Sequence, residues 1–248
     1  MSGRICIHNK EIEVCLVIFD KDGTLVDFET MWGRRVMRGV KVLAEGIGRQ
    51  DVAAAMLANV GFDPKTGLSD PEGPLSGGTS PQINAICAMT LYRAGYSWSE
   101  AEAIVHQRFE PIFMAPASED EVLPLGDVRG LMAALKRGGI AVAVVTNDDR
   151  RPTEETLEIL NITELIDSVI CADDGFPPKP DPAIATHIMK QMAVCREKVI
   201  MIGDTLTDMA FARNAKIVWR CQMVRPEATR QTDADFLIQS LDEIQVLS

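Results

Sequence analysis

Apolar runs without polar alternation recur at residues 14–19, 140–145, 168–172 and 199–202, and most are rich in Val and Ile. Such runs predict strands buried on both faces of a parallel sheet. Residues 128–136, 153–160 and 182–192 carry apolar side chains at helical spacing between these runs, and residues 205–214 do so after the fourth. Strand and helix therefore alternate, which predicts an α/β fold on a doubly wound, mostly parallel, Rossmann-like sheet. Gly138-Gly139 stops the first of these helices ahead of its strand. Short strands at 217–220 and 236–238 and a terminal helix from about residue 241 complete the expected core. Residues 4–7 and 11–14 are expected to pair as a hairpin around His8-Asn9-Lys10 and to add an edge to the sheet.

Residues 28–123 break this rhythm. Residues 31–43, 51–58, 80–94 and 97–113 have helical periodicity and no strand-like run lies among them, so an all-helical insertion is predicted. Residues 61–78 are dense in Gly, Pro, Asp and Ser and read as a loop. The expected organisation is a catalytic core of residues 1–28 and 120–248 with a helical cap domain of residues 29–119.

The chain has 248 residues and a net charge of −11, so nucleic acid, which is bound through clustered Lys and Arg, is not an expected partner. A small anion can still bind at a local positive site. Cys6, Cys15, Cys87, Cys171, Cys195 and Cys221 are scattered, outside the close spacings of zinc or dithiol motifs, and read as reduced thiols of a cytoplasmic protein. His8, Lys10, Glu11 and Glu13 interrupt the N-terminal apolar residues, which argues against a signal peptide or a membrane span; no membrane partner is expected.

Chemistry-bearing residues follow the apolar runs. The first run ends at Asp20-Lys21-Asp22-Gly23-Thr24, the second at Thr146-Asn147 and the fourth at Gly203-Asp204, with Asp208 four residues on. Lys179 comes after the third, between Pro178 and Pro180, whose restricted backbones aim it. Parallel neighbouring strands bring these residues to one sheet edge. Four carboxylates crowded there need a cation to stay ionised, and oxygen ligands without nearby His or Cys select Mg²⁺ over zinc.

The ordered set resembles the haloacid dehalogenase-like hydrolase superfamily, in particular its phosphoglycolate phosphatase-like members with helical caps. The resemblance spans about residues 14–28 and 123–244. It implies a phosphatase acting on a small phosphorylated metabolite through an aspartyl-phosphate. Asp20 is then the nucleophile, and Asp22 protonates the leaving oxygen and later activates water. Asp20, Asp204 and the backbone carbonyl of Asp22 bind Mg²⁺, with Asp208 acting directly or through water. Lys179 neutralises charge, and Asp22, Gly23, Thr146, Asn147 and Lys179 make up the expected phosphate site.

Rival roles exist for several of these. Asp208 also suits a solvated helix position, and Thr146 and Asn147 suit a helix cap. A phosphomutase on the same scaffold and a non-catalytic phosphate-ester-binding protein are the alternatives for the whole chain. Arg34 and Arg35 open the insertion and read as a solvated helix face. One departure from the family habit is Lys216, which stands where members often have Gly and must either take a conformation that glycine adopts more easily or sit in an altered turn. Trp219-Arg220-Cys221-Gln222 also replaces the expected small residues.

Overall fold

The computed structural model describes residues 2–224 and 232–247. β1 (Gly3–Ile7) and β2 (Lys10–Val14) form a hairpin whose turn residues His8 and Asn9 have φ of 48° and 63°. Two positive φ values give a turn whose twist matches that of the flanking strands. The chain bends at Cys15, and β3 (Leu16–Phe19) begins a different sheet. The run 14–19 is therefore not one strand: Val14 closes the hairpin and only Leu16 onward enters the main sheet.

The chain folds as two compact units, Met1–Asp27 with Val122–Ser248, and Phe28–Glu121. The second unit starts with a π-helical turn (Glu29–Gly33) leading into α1 (Arg34–Gly46), followed by α2 (Asp51–Val60). A two-residue ribbon follows, β4 (Phe62–Asp63) with β5 (Leu68–Ser69), then the single turn α3 (Pro74–Gly77). This unit is thus not all-helical. Glu29 secures the ribbon by accepting hydrogen bonds from the Ser69 N–H (2.8 Å) and hydroxyl (2.9 Å). α4 (Ser80–Arg93) and α5 (Trp98–Ile104) both open on capping boxes, Thr79 with Gln82 and Ser97 with Glu100, which satisfy their first N–H groups. A π-helical turn (Val105–Phe109) joins α5 to α6 (Glu110–Phe113). Arg35 does not lie on a solvated face: it is buried, bonded to Glu121 (2.6 Å) and to the Phe113 and Pro116 carbonyls.

The first unit continues through α7 (Val128–Arg137), β6 (Ala141–Val145), α8 (Arg150–Ile159), β7 (Ser168–Ile170), α9 (Ala183–Gln191), β8 (Val199–Gly203), α10 (Leu206–Asn214), β9 (Trp219–Met223) and β10 (Phe236–Ile238). Its parallel sheet has the order β10-β9-β8-β3-β6-β7. Side chains alternate between two cores. Val17, Phe19, Val142, Val144, Ile200 and Ile202 face α7 and Leu157 of α8, while Leu16, Ile18, Ala143, Val145, Val199 and Met201 face α9 and α10. Each buried Val, Ile or Phe contributes about 1.5–3 kcal/mol, so a two-faced sheet needs the uninterrupted apolar runs seen in the sequence.

Three expectations for the edges change. The 217–220 strand is shifted to Trp219–Met223 because Lys216, at φ 59°, and the exposed Val218 still belong to the turn. In place of a terminal helix the chain makes one 3₁₀ turn (Leu241–Glu243) and then β11 (Ile244–Leu247), antiparallel to β1. Ile244 and Val246 reach the core at a period of two, and the free edge of β1 supplies the hydrogen bonds. The N-terminal hairpin therefore belongs to a separate sheet, β11-β1-β2, and does not extend the parallel one.

Candidate active site

β3 lies between β6 and β8, with Phe19 opposite Val144 on one side and Ile202 on the other. From β3 the chain builds outward through β6 and β7, then crosses back to β8 on the opposite side. Ligands gather at such a reversal of strand order, beyond the carboxyl ends of the strands. The first residues past these three strands are Asp20, Thr146 and Asp204. Asp20 is pinned by its N–H donating to the Ile202 carbonyl (2.8 Å), and Thr146 by its N–H donating to Ile170 (3.1 Å).

Lys179 Nζ lies 2.6 Å from Asp20 Oδ1 and 2.6 Å from Asp208 Oδ1, and all three side chains are buried. The backbone of Lys179 is clamped by Asn147, whose Oδ1 accepts its N–H (2.9 Å) while Nδ2 donates to its carbonyl (3.2 Å). The Lys179–Pro180 peptide bond is cis. Asp208 is no solvated helix residue. Its Oδ2 accepts from the Thr205 N–H (3.0 Å) and hydroxyl (2.7 Å), so it caps the start of α10 while holding the ammonium.

Gly23 has φ +82°, and a Cβ there would stand 2.2 Å from Asp204 Oδ2. Glycine is what lets the turn after β3 approach the carboxylate that follows β8. One oxygen from each of Asp20, Asp204 and Asp208 lies within 4.8 Å of the others. Opposite ligands of an octahedral Mg²⁺ with bonds near 2.1 Å are about 4.2 Å apart, so this all-oxygen group fits a hard divalent cation.

Burial raises the Asp20 carboxyl to about 7, a rise that Asp208 and Asp22 reinforce and Lys179 opposes. Burial also works against the Lys179 ammonium, but Asp20 and Asp208 outweigh it and hold that group above its ordinary value. The pocket thus concentrates negative charge around one cationic group, a condition that a divalent cation relieves.

Asp22 stands apart from this cluster. Its carboxylate is bound by Lys21 Nζ at 2.8 and 2.7 Å, and the same ammonium lies 2.9 Å from Asp148 Oδ2. Lys21 is fully buried and, like Lys179, is held above its usual range by its carboxylates against the effect of burial. Burial raises Asp148 to about 6. Thr146 Oγ1 accepts the Asp148 N–H (3.1 Å), a capping contact. The side chain of Asn147 serves the Lys179 backbone.

Sequence reasoning missed Lys21, Asp148 and Gln222. Gln222, almost buried on β9, donates to the Asp204 backbone carbonyl (2.9 Å) and braces the turn that presents Asp204. No signal in the sequence marks Lys21 or Asp148, whose pairing spans 127 positions; Gln222 was visible only as a departure from small residues.

A sequence profile of the haloacid dehalogenase-like hydrolases matches residues 15–216, which include every group just described except Gln222. The chain is a haloacid dehalogenase-like hydrolase. A phosphoglycolate phosphatase of Colwellia psychrerythraea is 34% identical over 214 residues, covering 85% of this chain and 83% of the relative. One from Cupriavidus necator is 25% identical over 234 residues, covering 93% and 91%. A crystal structure of a predicted phosphoglycolate phosphatase from Haemophilus somnus superposes with a TM-score of 0.70 at 15% identity, covering 92% of this chain and 94% of that one. This haloacid dehalogenase-like hydrolase is a phosphoric monoester hydrolase. Among the described residues no helix is long and apolar enough to cross a membrane.

Proposed function

We propose that the enzyme hydrolyses a small phosphate monoester of the phosphoglycolate type by way of an aspartyl-phosphate on Asp20. The observation that supports this most directly is Lys179 Nζ set 2.6 Å from Asp20 Oδ1 at the strand-order reversal. The Asp20 carboxylate attacks phosphorus as the ester P–O bond breaks, and Asp22 gives its proton to the departing oxygen. Asp22 then takes a proton from the water that attacks the acyl phosphate, releasing phosphate and regenerating Asp20. Lys179 offsets charge on the transferring group, and Thr146 with adjacent backbone N–H groups holds its oxygens. Lys21, itself paired with Asp148, fixes the Asp22 carboxylate, while Lys179 fixes Asp20, so that the acid and the nucleophile are separately supported. Asp20, Asp204 and the Asp22 carbonyl would hold Mg²⁺, with Asp208 acting directly or through water. The ion supplies charge neutralisation for the phosphoryl oxygens when bound. The six free thiols suit a reducing, cytoplasmic compartment.

The test is phosphate release from 2-phosphoglycolate and a panel of phosphorylated metabolites, with and without Mg²⁺, for wild type and Asp20→Asn. The expected result is Mg²⁺-dependent release that the substitution abolishes. Equal rates for the two proteins, or an isomeric ester formed without phosphate release, would refute the proposal.

A further inference from the structure

A groove of about 570 Å³ lies along α9 and the C-terminal end of α10, within the size range of small-molecule sites, about 300–1,000 Å³. Half-buried Met189 and Val194 give it an apolar wall, and the exposed side chains of Lys190, Arg196 and Lys216 give it three positive charges. The chain as a whole carries −11, so this concentration runs against its background. Arg196 Nε has Glu197 at 3.5 Å, whereas among the described residues neither Lys190 nor Lys216 has an ion-pair partner. Arg196 and Lys216 precede β8 and β9, at the sheet edge opposite to the one that carries Asp20, Thr146 and Asp204. The groove is therefore separate from the catalytic centre.

Ala193 and Lys216, both lining the groove, have φ of 52° and 59°. A residue with a Cβ is strained there and glycine is not. Each is the left-handed residue that ends its helix, with the Val194 N–H donating to Met189 (2.9 Å) and the Ile217 N–H to Ala212 (2.9 Å), so a lysine there caps α10 at a cost in stability that glycine would avoid.

We propose that this groove binds a nucleoside phosphate, with the phosphates on Lys190, Arg196 and Lys216 and the base against Met189 and Val194. A bare phosphate or sugar phosphate would leave the apolar wall unused. Asn214 also lines the groove, and its Nδ2 donates to the Pro180 carbonyl (2.9 Å), one residue beyond Lys179.

Cys195 lines the groove and is the one exposed cysteine; the other five are buried or half-buried. Its alkylation by iodoacetamide, followed by mass spectrometry with EDTA present, reads occupancy without any turnover. ADP at ten times its dissociation constant is expected to slow Cys195 alkylation about tenfold. Lys190→Ala/Lys216→Gly is expected to lose the protection. Lys216→Gly alone is expected to melt above wild type, which separates lost binding from lost folding. No protection by ADP, unchanged protection in the double variant, or equal protection by pyrophosphate would overturn the assignment. The readout works equally on Asp20→Asn protein, so its failure is distinct from failure of the phosphatase proposal.

Discussion

Alanine at Gly23 places a Cβ 2.2 Å from Asp204 Oδ2 and 2.4 Å from its Cγ, on a backbone with φ +82°. Carbon and oxygen need about 3.3 Å, so the carboxylate must retreat by about 1 Å. The left-handed backbone adds about 1–2 kcal/mol of destabilisation, or a fall in Tm of about 2–8 °C for a chain of this size. A displacement of about 1 Å in a positioning group costs about 100-fold in turnover. Gly175 is the control, since its φ is +84° and nothing lies within 4 Å of an added Cβ. Gly175→Ala should show a similar fall in Tm with wild-type activity, whereas Gly23→Ala should lose activity and need more Mg²⁺ for half-maximal rate. The assay is aryl phosphate hydrolysis across a Mg²⁺ titration, with thermal unfolding of each variant. If Gly23→Ala stays within twofold of wild type at an unchanged Mg²⁺ midpoint, the close approach to Asp204 has no catalytic meaning and the reasoning fails.

Lys179→Met strands Asp20 and Asp208 in a buried pocket and should cost about 3–5 kcal/mol in urea unfolding, together with at least about 100-fold in turnover; a variant as stable and half as active as wild type would contradict this. Saturating Mg²⁺ at 100 times its dissociation constant should stabilise the protein by about 2.7 kcal/mol, and Asp204→Asn should abolish most of that gain; an identical thermal shift in both proteins counts against the assigned ligands. The paired hydrogen bonds from Arg150 (2.8 and 2.5 Å) hold the Asp174 carboxyl below its ordinary range. Its folded value is depressed, so its contribution of about 1 kcal/mol, discounted for partial exposure, is present above about pH 4 and fades as pH falls through the folded value. Asp174→Asn should therefore be less stable than wild type at neutral pH and converge with it as the pH falls below the folded value of Asp174, and a gap that persists in acid would rule out the ion pair as its source.

The parallel sheet was readable because strands covered on both faces leave no polar positions, and the residues just past them mark the carboxyl edge of the sheet. Asp20, Thr146 and Asp204 stand out in this way. The edges were less readable. Residues 244–247 are too short a stretch for a period to separate a strand from a helix, and only the open edge of β1 decides for a strand. Cys15 has the look of an apolar run, yet it is the bend where one sheet gives way to another. Within the site, Lys21 was hidden because a lysine between aspartates normally reads as solvated, and its partner Asp148 lies 127 positions away. Asn147 reads as a phosphate ligand from sequence because its contact with the Lys179 backbone depends on a loop 32 positions later.

The points where the chain leaves and re-enters the first unit are fastened side by side, with the Asp27 N–H donating to Leu123 (2.8 Å) and the Leu125 N–H to Leu25 (3.0 Å). Everything from Phe28 to Glu121 is thus spliced in at a single fixed junction. A module attached in that manner can be exchanged for a longer, shorter or unrelated one without interrupting any strand of the first unit, because the two ends of the splice already lie side by side.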